Sequence, residues 1–245
     1  MVKENRMMEL YIAPVIRCEN KKRIAFKTQV RINNTELGTL LPDVYGHIAD
    51  KTVQSKRIFD WAYKELLICV EIFKKNDIEF DFITLYTPQK VLEDDKAVMS
   101  FVSEVEKSGI EPNRFALEIY PEYMLDRESK TFRSISVLRE KGFRIILLNY
   151  ASENFPLSVI SFVPADILCL DRFVTDCIDG DRNEREYAKS AIFMANNIGK
   201  QIIAENIDTP DSYRTLSAFS NYCYGKHLGN YIKYKYVRAK WIEKV

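Results

Sequence analysis

Residues 143–171 read Phe-Arg-Ile-Ile-Leu-Leu-Asn-Tyr-Ala-Ser-Glu-Asn-Phe-Pro-Leu-Ser-Val-Ile-Ser-Phe-Val-Pro-Ala-Asp-Ile-Leu-Cys-Leu-Asp. The stretch opens on one apolar run, Ile145 to Leu148, and closes on another, Ile167 to Leu170. Between them lie a polar turn at Asn149 to Asn154 and a short amphipathic segment led by Pro156. Unbroken apolar runs of about 4–8 residues read as strands buried on both faces, the kind found in parallel sheets covered by helices. The stretch is therefore a strand–loop–helix–strand unit. An acid, Asp171, follows the second strand directly, whereas Leu148, Asn149 and Tyr150 stand at the end of the first.

The same alternation runs outward in both directions. Leu10 to Ile16 and Arg23 to Val30 read as two strands joined by the short polar turn 19–22, a spacing that suits a hairpin and not a helical crossover. A loop with Gly38 and Pro42 follows. Ile58, Ala62, Leu66, Cys69 and Phe73 then recur every three or four residues as the stripe of a long helix, with a strand after it at Phe80 to Leu85. Val98, Val102 and Val105 line a helix closed by Gly109, and Phe115 to Ile119 is the next strand. Phe132, Ile135 and Leu138 mark a helix stopped by Gly142, before the strand at 143–148. Beyond the opening stretch, Tyr187, Ala191, Ala195 and Ile198 form a helical stripe, Gln201 to Ala204 a strand, and Thr209-Pro210-Asp211 a capped helix start. Residues 236–245, with Trp241 among basic neighbours, are expected to form a helical tail.

Strands alternating with helices from residue 80 onward indicate an α/β fold with a mainly parallel sheet. A single domain over 1–245, built as a TIM-like (β/α)8 barrel, fits the element count and the length. Hydrophobic residues at 47% and charged residues at 29% are ordinary for a globular chain. With 36 basic against 35 acidic residues, a net charge of +1 gives no bulk electrostatic case for nucleic acid or an anionic membrane. No apolar run approaches the roughly 18–20 residues of a membrane helix, and the first ten residues hold no signal-like core. The five cysteines, Cys18, Cys69, Cys169, Cys177 and Cys223, are scattered without metal-ligand spacing, which points to a reducing, cytoplasmic setting. No Gly-rich G-x-G-x-x-G turn or P-loop is present. His47 and His227 are assigned no role.

Three strands end in a carboxylate: Glu118, Asp171 and Glu205. In a β/α barrel such positions converge on one mouth, so three acids could gather a hard cation such as Mg²⁺. They could equally cap the following helices or pair with nearby Arg and Lys. Tyr222, Tyr224, Tyr231, Tyr234 and Tyr236 interleave with Lys226, Lys233 and Lys235, a patch that could stack nucleobases and better suits contact with a protein.

Several blocks, in order from about residue 10 to 230, resemble those of EAL domains, the cyclic-di-GMP phosphodiesterase family. Pro164-Ala-Asp-Ile-Leu-Cys-Leu-Asp171, followed by Arg172-Phe173-Val174, is similar to P-V-D-x-L-K-I-D-x-x-F-V. Ile203-Ala-Glu-Asn-Ile-Asp-Thr209 resembles V-A-E-G-V-E-T, and Ala116-Leu-Glu-Ile119 resembles E-L-E-I. Pro14-Val15-Ile16 stands for the opening P-I-V, and Ala25 to Arg31 for G-Y-E-A-L-L-R. The resemblance implies a barrel whose first strand runs antiparallel to the rest.

The departures from the pattern fall on the residues that do the family's chemistry. Lys27 occupies the position of the signature Glu, a metal ligand, in a tripeptide that reads Lys27-Thr28-Gln29. The Asn ligand aligns with Leu85, or with Thr84 if the register slips by one. The D-D-F-G motif aligns with Leu148, Asn149, Tyr150 and Ala151. Cys169 stands for the lysine before the motif's Asp, and Tyr224 for the Gln before Gly225. Arg31, Glu118, Asp171 and Glu205 remain, with Asp208 as a shorter stand-in for a Glu. In the family, carboxylates and an amide hold two divalent ions that activate water against a phosphodiester. Replacing a ligand carboxylate by Lys27 changes the local charge by two units and puts an ammonium near the cation.

The expectation is a catalytically inactive EAL-like domain that acts on a regulatory protein partner. The vestigial site would comprise Lys27, Glu118, Leu148, Asn149, Cys169, Asp171 and Glu205, with no catalytic residue and no cofactor. The Lys27 ammonium is expected to pair with Glu118, Glu205 or both, and Cys169 to be core filler. One alternative is a weak phosphodiesterase whose rebuilt site holds Mg²⁺ or Mn²⁺ through Glu118, Asp171 and Glu205, with Asn149, Glu153 and Glu122 as replacement candidates. Another is a metal-independent cyclic-di-GMP receptor, with Arg31 at a phosphate or merely in an ion pair. No nucleic-acid or membrane partner is expected.

Overall fold

The computed structural model describes residues 7–238. The chain opens on a hairpin of β1 (Met8–Arg17) and β2 (Lys22–Asn34), in which all ten residues of β1 pair antiparallel with β2. Next come β3 (Gly38–Leu40), α1 (Pro42–Asp50) and α2 (Gln54–Lys75). From there strands and helices alternate: β4 (Phe82–Tyr86), α3 (Gln89–Leu92), α4 (Asp95–Ser108), β5 (Phe115–Ile119), α5 (Lys130–Glu140) and β6 (Arg144–Tyr150). The remainder is β7 (Ile167–Leu170), α6 (Arg172–Cys177), α7 (Arg182–Asn197), β8 (Gln201–Ala204), α8 (Pro210–Leu216), β9 (Tyr222–Cys223) and β10 (Ile232–Lys233).

Local chemistry sets these limits. Asp94 caps α4 by accepting from the amides of Lys96 and Ala97, and Gly109, at φ +69°, ends it. Thr209 and Ser212 form a capping box around Pro210 at the start of α8.

The strands close into a ring in the order β1-β2-β4-β5-β6-β7-β8-β9 and back to β1. Pairs from β4 through β9 are parallel, and β1 is antiparallel to both of its ring neighbours. The expected barrel with an antiparallel first strand is therefore the fold. β3 and β10 add short antiparallel ladders outside the ring, to β2 and β1.

Successive strand residues point to opposite faces, so each strand sends alternate residues into the lumen. Val15, Ala25, Phe82, Ala116, Ile146, Ile167, Ile203 and Tyr222 meet there as a packed inner layer, a filled core and not a pore. The residues between them, among them Phe26, Ile83, Leu117, Leu147, Leu168 and Ile202, face outward into the layer shared with the helices.

Three expectations on the elements are corrected. The loop read around Gly38 and Pro42 holds β3 and the nine-residue α1, with Pro42 at its first position. Val44 and Ile48 of α1 are exposed, so no buried stripe announced that helix. The segment after Pro156 is a 3-10 turn at Leu157–Ser161. Of the expected tail, Tyr236 ends a 3-10 turn and Val237 has extended backbone, while 239–245, Trp241 included, lie outside the described residues.

Where the parallel strands begin, the lumen closes on a charge cluster. Asp81 accepts from Arg17 Nη2 and Arg144 Nη2, each at 2.7 Å, and from the Tyr222 hydroxyl at 3.2 Å. Burial opposes the charge on Asp81, but the two guanidiniums outweigh it and hold its pKa below the ordinary 3.8. A lowered carboxylate contributes stability above its unfolded pKa that is lost as pH falls through the folded value. Asp81→Asn should cost about 2 kcal/mol at pH 7, a figure reduced for partial exposure. Urea unfolding from pH 7 to pH 3 should show the gap to the wild type closing below about pH 4. A gap independent of pH would assign the loss to packing.

Candidate active-site mouth

One step along the period-two pattern above the inner apolar layer, the lumen turns polar. Lys27 follows Ala25, Thr84 follows Phe82, Glu118 follows Ala116, Cys169 follows Ile167, Glu205 follows Ile203 and Tyr224 follows Tyr222. These side chains sit at the ends of the parallel strands, where barrel sites form.

The structure places the Lys27 Nζ against both carboxylates, 2.7 Å from Glu118 Oε1 and 2.5 Å from Glu205 Oε1. Side-chain exposures of 15%, 6% and 20% for Lys27, Glu118 and Glu205 make this a largely desolvated triad. Burial works against the ammonium, but the two carboxylates outweigh it and hold the Lys27 pKa well above its ordinary value. Glu118 is pushed up, chiefly by burial, with Lys27 opposing and Glu205 adding to the shift. Thr84 hydrogen-bonds Glu118. It also accepts from the Thr28 amide at 3.1 Å, while Thr28 Oγ1 donates to the Thr84 carbonyl at 2.8 Å. Between the alternatives left by the sequence, Thr84 is the residue in the lumen, and Leu85 packs in the outer core with Phe59 and Ala62.

A cavity of about 390 Å³ opens above the triad, lined by Gln29, Tyr86, Tyr120, Leu148, Asn149, Tyr224 and Tyr231 among others. Tyr224 donates to Tyr231 at 2.8 Å, and its ring centroid lies 5.9 Å from the Lys27 ammonium. Burial raises the Tyr224 and Tyr120 hydroxyls to about 12, so both remain neutral donors at ordinary pH. Sequence reasoning missed Tyr86 and Tyr120, which stand two residues past Thr84 and Glu118 and so were available from strand parity. Tyr86 donates to Asp50 and lies 3.1 Å from the Tyr123 hydroxyl, tying α1 to the mouth.

The three acids do not gather as a group. Asp171 is instead the cap of α6, accepting from the Phe173 amide at 2.8 Å. Arg31 donates to Gln29 at 2.9 Å and stacks on Tyr11, with 3.8 Å from its guanidinium carbon to the ring centroid. Cys169 is buried in the lumen, where burial raises its thiol. Leu148 joins the inner apolar layer. Of Asn149, Glu153 and Glu122, Asn149 lines this cavity, and Glu122 lines a separate surface hollow beside Tyr123 and Leu125. Asp208 lies outside the triad, with Oδ2 3.7 Å from Lys226 Nζ.

The tyrosine-lysine patch is also corrected, because strand parity scatters it. Tyr222 lies in the lumen floor with Asp81, Tyr224 and Tyr231 face the mouth, and Tyr234 is buried against Glu65. Tyr236 alone of the five is exposed.

A divalent ion bridging Glu118 and Glu205 needs oxygen ligands at about 2.0–2.6 Å, which is the space the ammonium fills. Among the described residues no group of three or more His, Cys, Asp or Glu could hold a metal ion. The side chains present do not fit a two-metal centre. The backbone has kept the motif's form nonetheless. Asn206 and Ala151, which stand where the resembled motifs carry Gly, retain left-handed φ values of +60° and +63°.

A family profile described as EAL domain matches residues 2–229. The chain is similar to an uncharacterized protein of Azorhizobium caulinodans, 20% identical over 85% of this chain and 29% of that one. It is similar to the cyclic di-GMP phosphodiesterase PA2567 of Pseudomonas aeruginosa, 20% identical over 78% of this chain and 32% of the relative. Among solved structures, the EAL enzyme Bd1971 in its cAMP- and cyclic-di-GMP-bound form superposes with a TM-score of 0.87 at 19% identity, over 98% of this chain and 66% of that one. The chain thus spans less than a third of the two relatives' length.

Two substitutions probe the mouth. Lys27→Met should cost about 3 kcal/mol at pH 8 by leaving two buried carboxylates without a cation. A raised lysine stabilises fully below its unfolded pKa and loses that contribution only as pH rises through the folded value, so the wild type should keep the triad at pH 8. In the variant, acid should protonate Glu118, whose pKa burial already raises, and the deficit in urea unfolding should shrink at pH 5. Ala151→Gly should raise stability by about 1 kcal/mol by relieving the left-handed alanine, read from the same transitions.

Proposed function

This chain belongs to the EAL domain family, and we propose that it keeps the family's barrel without phosphodiesterase chemistry, as a regulatory module for a protein partner in bacterial cyclic-di-GMP signalling. The observation that carries this reading is the Lys27 ammonium between Glu118 and Glu205. Hydrolysis by the family's route needs cations that polarise the phosphodiester and generate hydroxide. Here an ammonium neutralises one of the two carboxylate charges, and it cannot deliver a metal-bound water. Leu148 offers no lone pair at the position of the first motif aspartate. We therefore assign the domain no metal cofactor; its five free cysteines support work in the reducing cytoplasm.

Binding without turnover is the second reading, and the cavity favours it. A pocket of about 390 Å³ lies in the range that takes small ligands, with Tyr86, Tyr120 and Tyr224 offering faces for stacking. Relatives named as cyclic di-GMP phosphodiesterases, and a structural neighbour in a cyclic-di-GMP-bound form, support that ligand. A partner protein finds apolar ground on the exposed side of the β2–β3 turn and α1, where Leu37, Val44 and Ile48 are 72%, 61% and 71% exposed.

Calorimetry of the protein with cyclic-di-GMP, with and without Mg²⁺ or Mn²⁺, paired with chromatography for the linear dinucleotide, separates the readings. The expected result is no linear product under any condition, with any binding heat unchanged by the metal. Turnover, or stoichiometric Mg²⁺ or Mn²⁺ in the purified protein, would overturn the inactive reading. Metal-independent binding would identify the domain as a receptor.

A further inference from the structure

The ring of strands is sealed where β1 meets β9, and that ladder is two pairs long: Ile16 with Cys223 and Arg17 with Tyr222. One residue further, the Cys18 amide donates to the Asn221 carbonyl at 3.0 Å, extending the register past the end of β1. Cys18 is therefore the diagonal neighbour of Cys223 across the seam, a position from which side chains reach one another. Their sulfurs lie 3.4 Å apart in thiol–thiol contact. Both are free thiols, Cys18 partly exposed beside the β1–β2 turn and Cys223 fully buried beneath it. Reaching the roughly 2.05 Å of a disulfide asks for about 1.3 Å of approach. The exposed turn at Glu19 and Asn20 can supply it.

From this geometry we propose that Cys18 and Cys223 are a redox modification site, forming an intramolecular disulfide across the barrel seam when the protein meets a peroxide. The division of labour follows from exposure. Cys18, partly exposed, attacks one peroxide oxygen as its thiolate; the O–O bond breaks, water leaves, and Cys18 carries a sulfenic acid. The Cys223 sulfur then attacks Cys18 Sγ. The S–S bond forms as the S–O bond breaks, and the Cys223 proton leaves with the hydroxyl as a second water. Two thiols are oxidised by two electrons, and one peroxide is reduced to two waters. A thiol supplied as reductant reverses the step.

The surroundings suit a pair that stays reduced until challenged. The thiol contact with Cys18 and burial together push the Cys223 thiol far up, so it reacts only once Cys18 presents an electrophilic sulfur beside it. Among the described residues the Tyr213 hydroxyl is buried with no hydrogen-bond partner, and its ring belongs to the same apolar surround as Cys18. Cys69, Cys169 and Cys177 are buried, which shields them from the same oxidant. The crosslink would join residues 205 positions apart and hold shut the two-pair ladder of the ring. Loop closure of that size constrains the unfolded chain strongly.

The test treats the 245-residue chain with a small excess of hydrogen peroxide, then maps non-reduced peptides and counts free thiols. The expected result is a linked Cys18–Cys223 peptide, loss of two of the five thiols, and a melting temperature raised by about 5–10 °C. Dithiothreitol should reverse all three. Cys18→Ser and Cys223→Ser should each abolish the linked peptide and the shift, while leaving the other three thiols countable. Sulfinic or sulfonic acid at Cys18 without a link to Cys223, or crosslinking between chains only, would overturn the proposal.

Discussion

A closed ring of eight strands has a lumen that only alternate residues can enter, and the rest of this molecule depends on that parity. Along each strand one residue in two is committed to the interior, so the lumen fills in layers. The floor carries Asp81 with Arg17 and Arg144, the middle is apolar, and the mouth carries Lys27 with Glu118 and Glu205. The two charged layers follow one rule: a buried ion persists where opposite charge meets it. At the floor one carboxylate serves two guanidiniums, and at the mouth one ammonium serves two carboxylates. The mouth keeps an excess negative charge that the floor does not, and Glu205 adds to the upward push that burial gives Glu118.

Much of this was legible in the sequence, because long buried strands leave strong marks. Phe115–Ile119, Ile167–Leu170 and Gln201–Ala204 stand where their apolar runs place them, and the short polar turn at 19–22 led correctly to a hairpin. What the runs could not give was phase. A strand apolar on both faces reads the same in either register, so Leu85 and Thr84 were interchangeable until neighbouring strands fixed which one looked inward. The tyrosine-lysine patch failed for a related reason. Neighbours in sequence there alternate between floor, mouth and outer layer, and proximity along the chain counted for little. α1 was invisible because Val44 and Ile48 turn to solvent, and the buried Ala49 alone is too little to make a stripe.

The site separates what fixes its backbone from what fixes its side chains. Asn206 and Ala151 hold backbone angles that glycine would adopt without strain, and Gly225 persists where any Cβ would run into the backbone of Ile207. Backbone form is fixed by packing around the whole ring, whereas the identity of a mouth residue is fixed by its few neighbours. Lys27 sets one positive charge against the carboxylates of Glu118 and Glu205, at a position where the resembled motif carries a carboxylate.

The seam between β1 and β9 has a consequence for how the chain acquires its shape. β1 finds β2 across a turn of a few residues, but its other ring neighbour is not made until Tyr222 and Cys223 have been synthesised. Until then the nascent protein is an open sheet with bare edges at β1 and β8, and such edges invite pairing with other chains. Its passage through the ribosome and any chaperone therefore turns on a two-residue strand that follows seven other strands of the ring along the chain and directly precedes Tyr224 at the mouth.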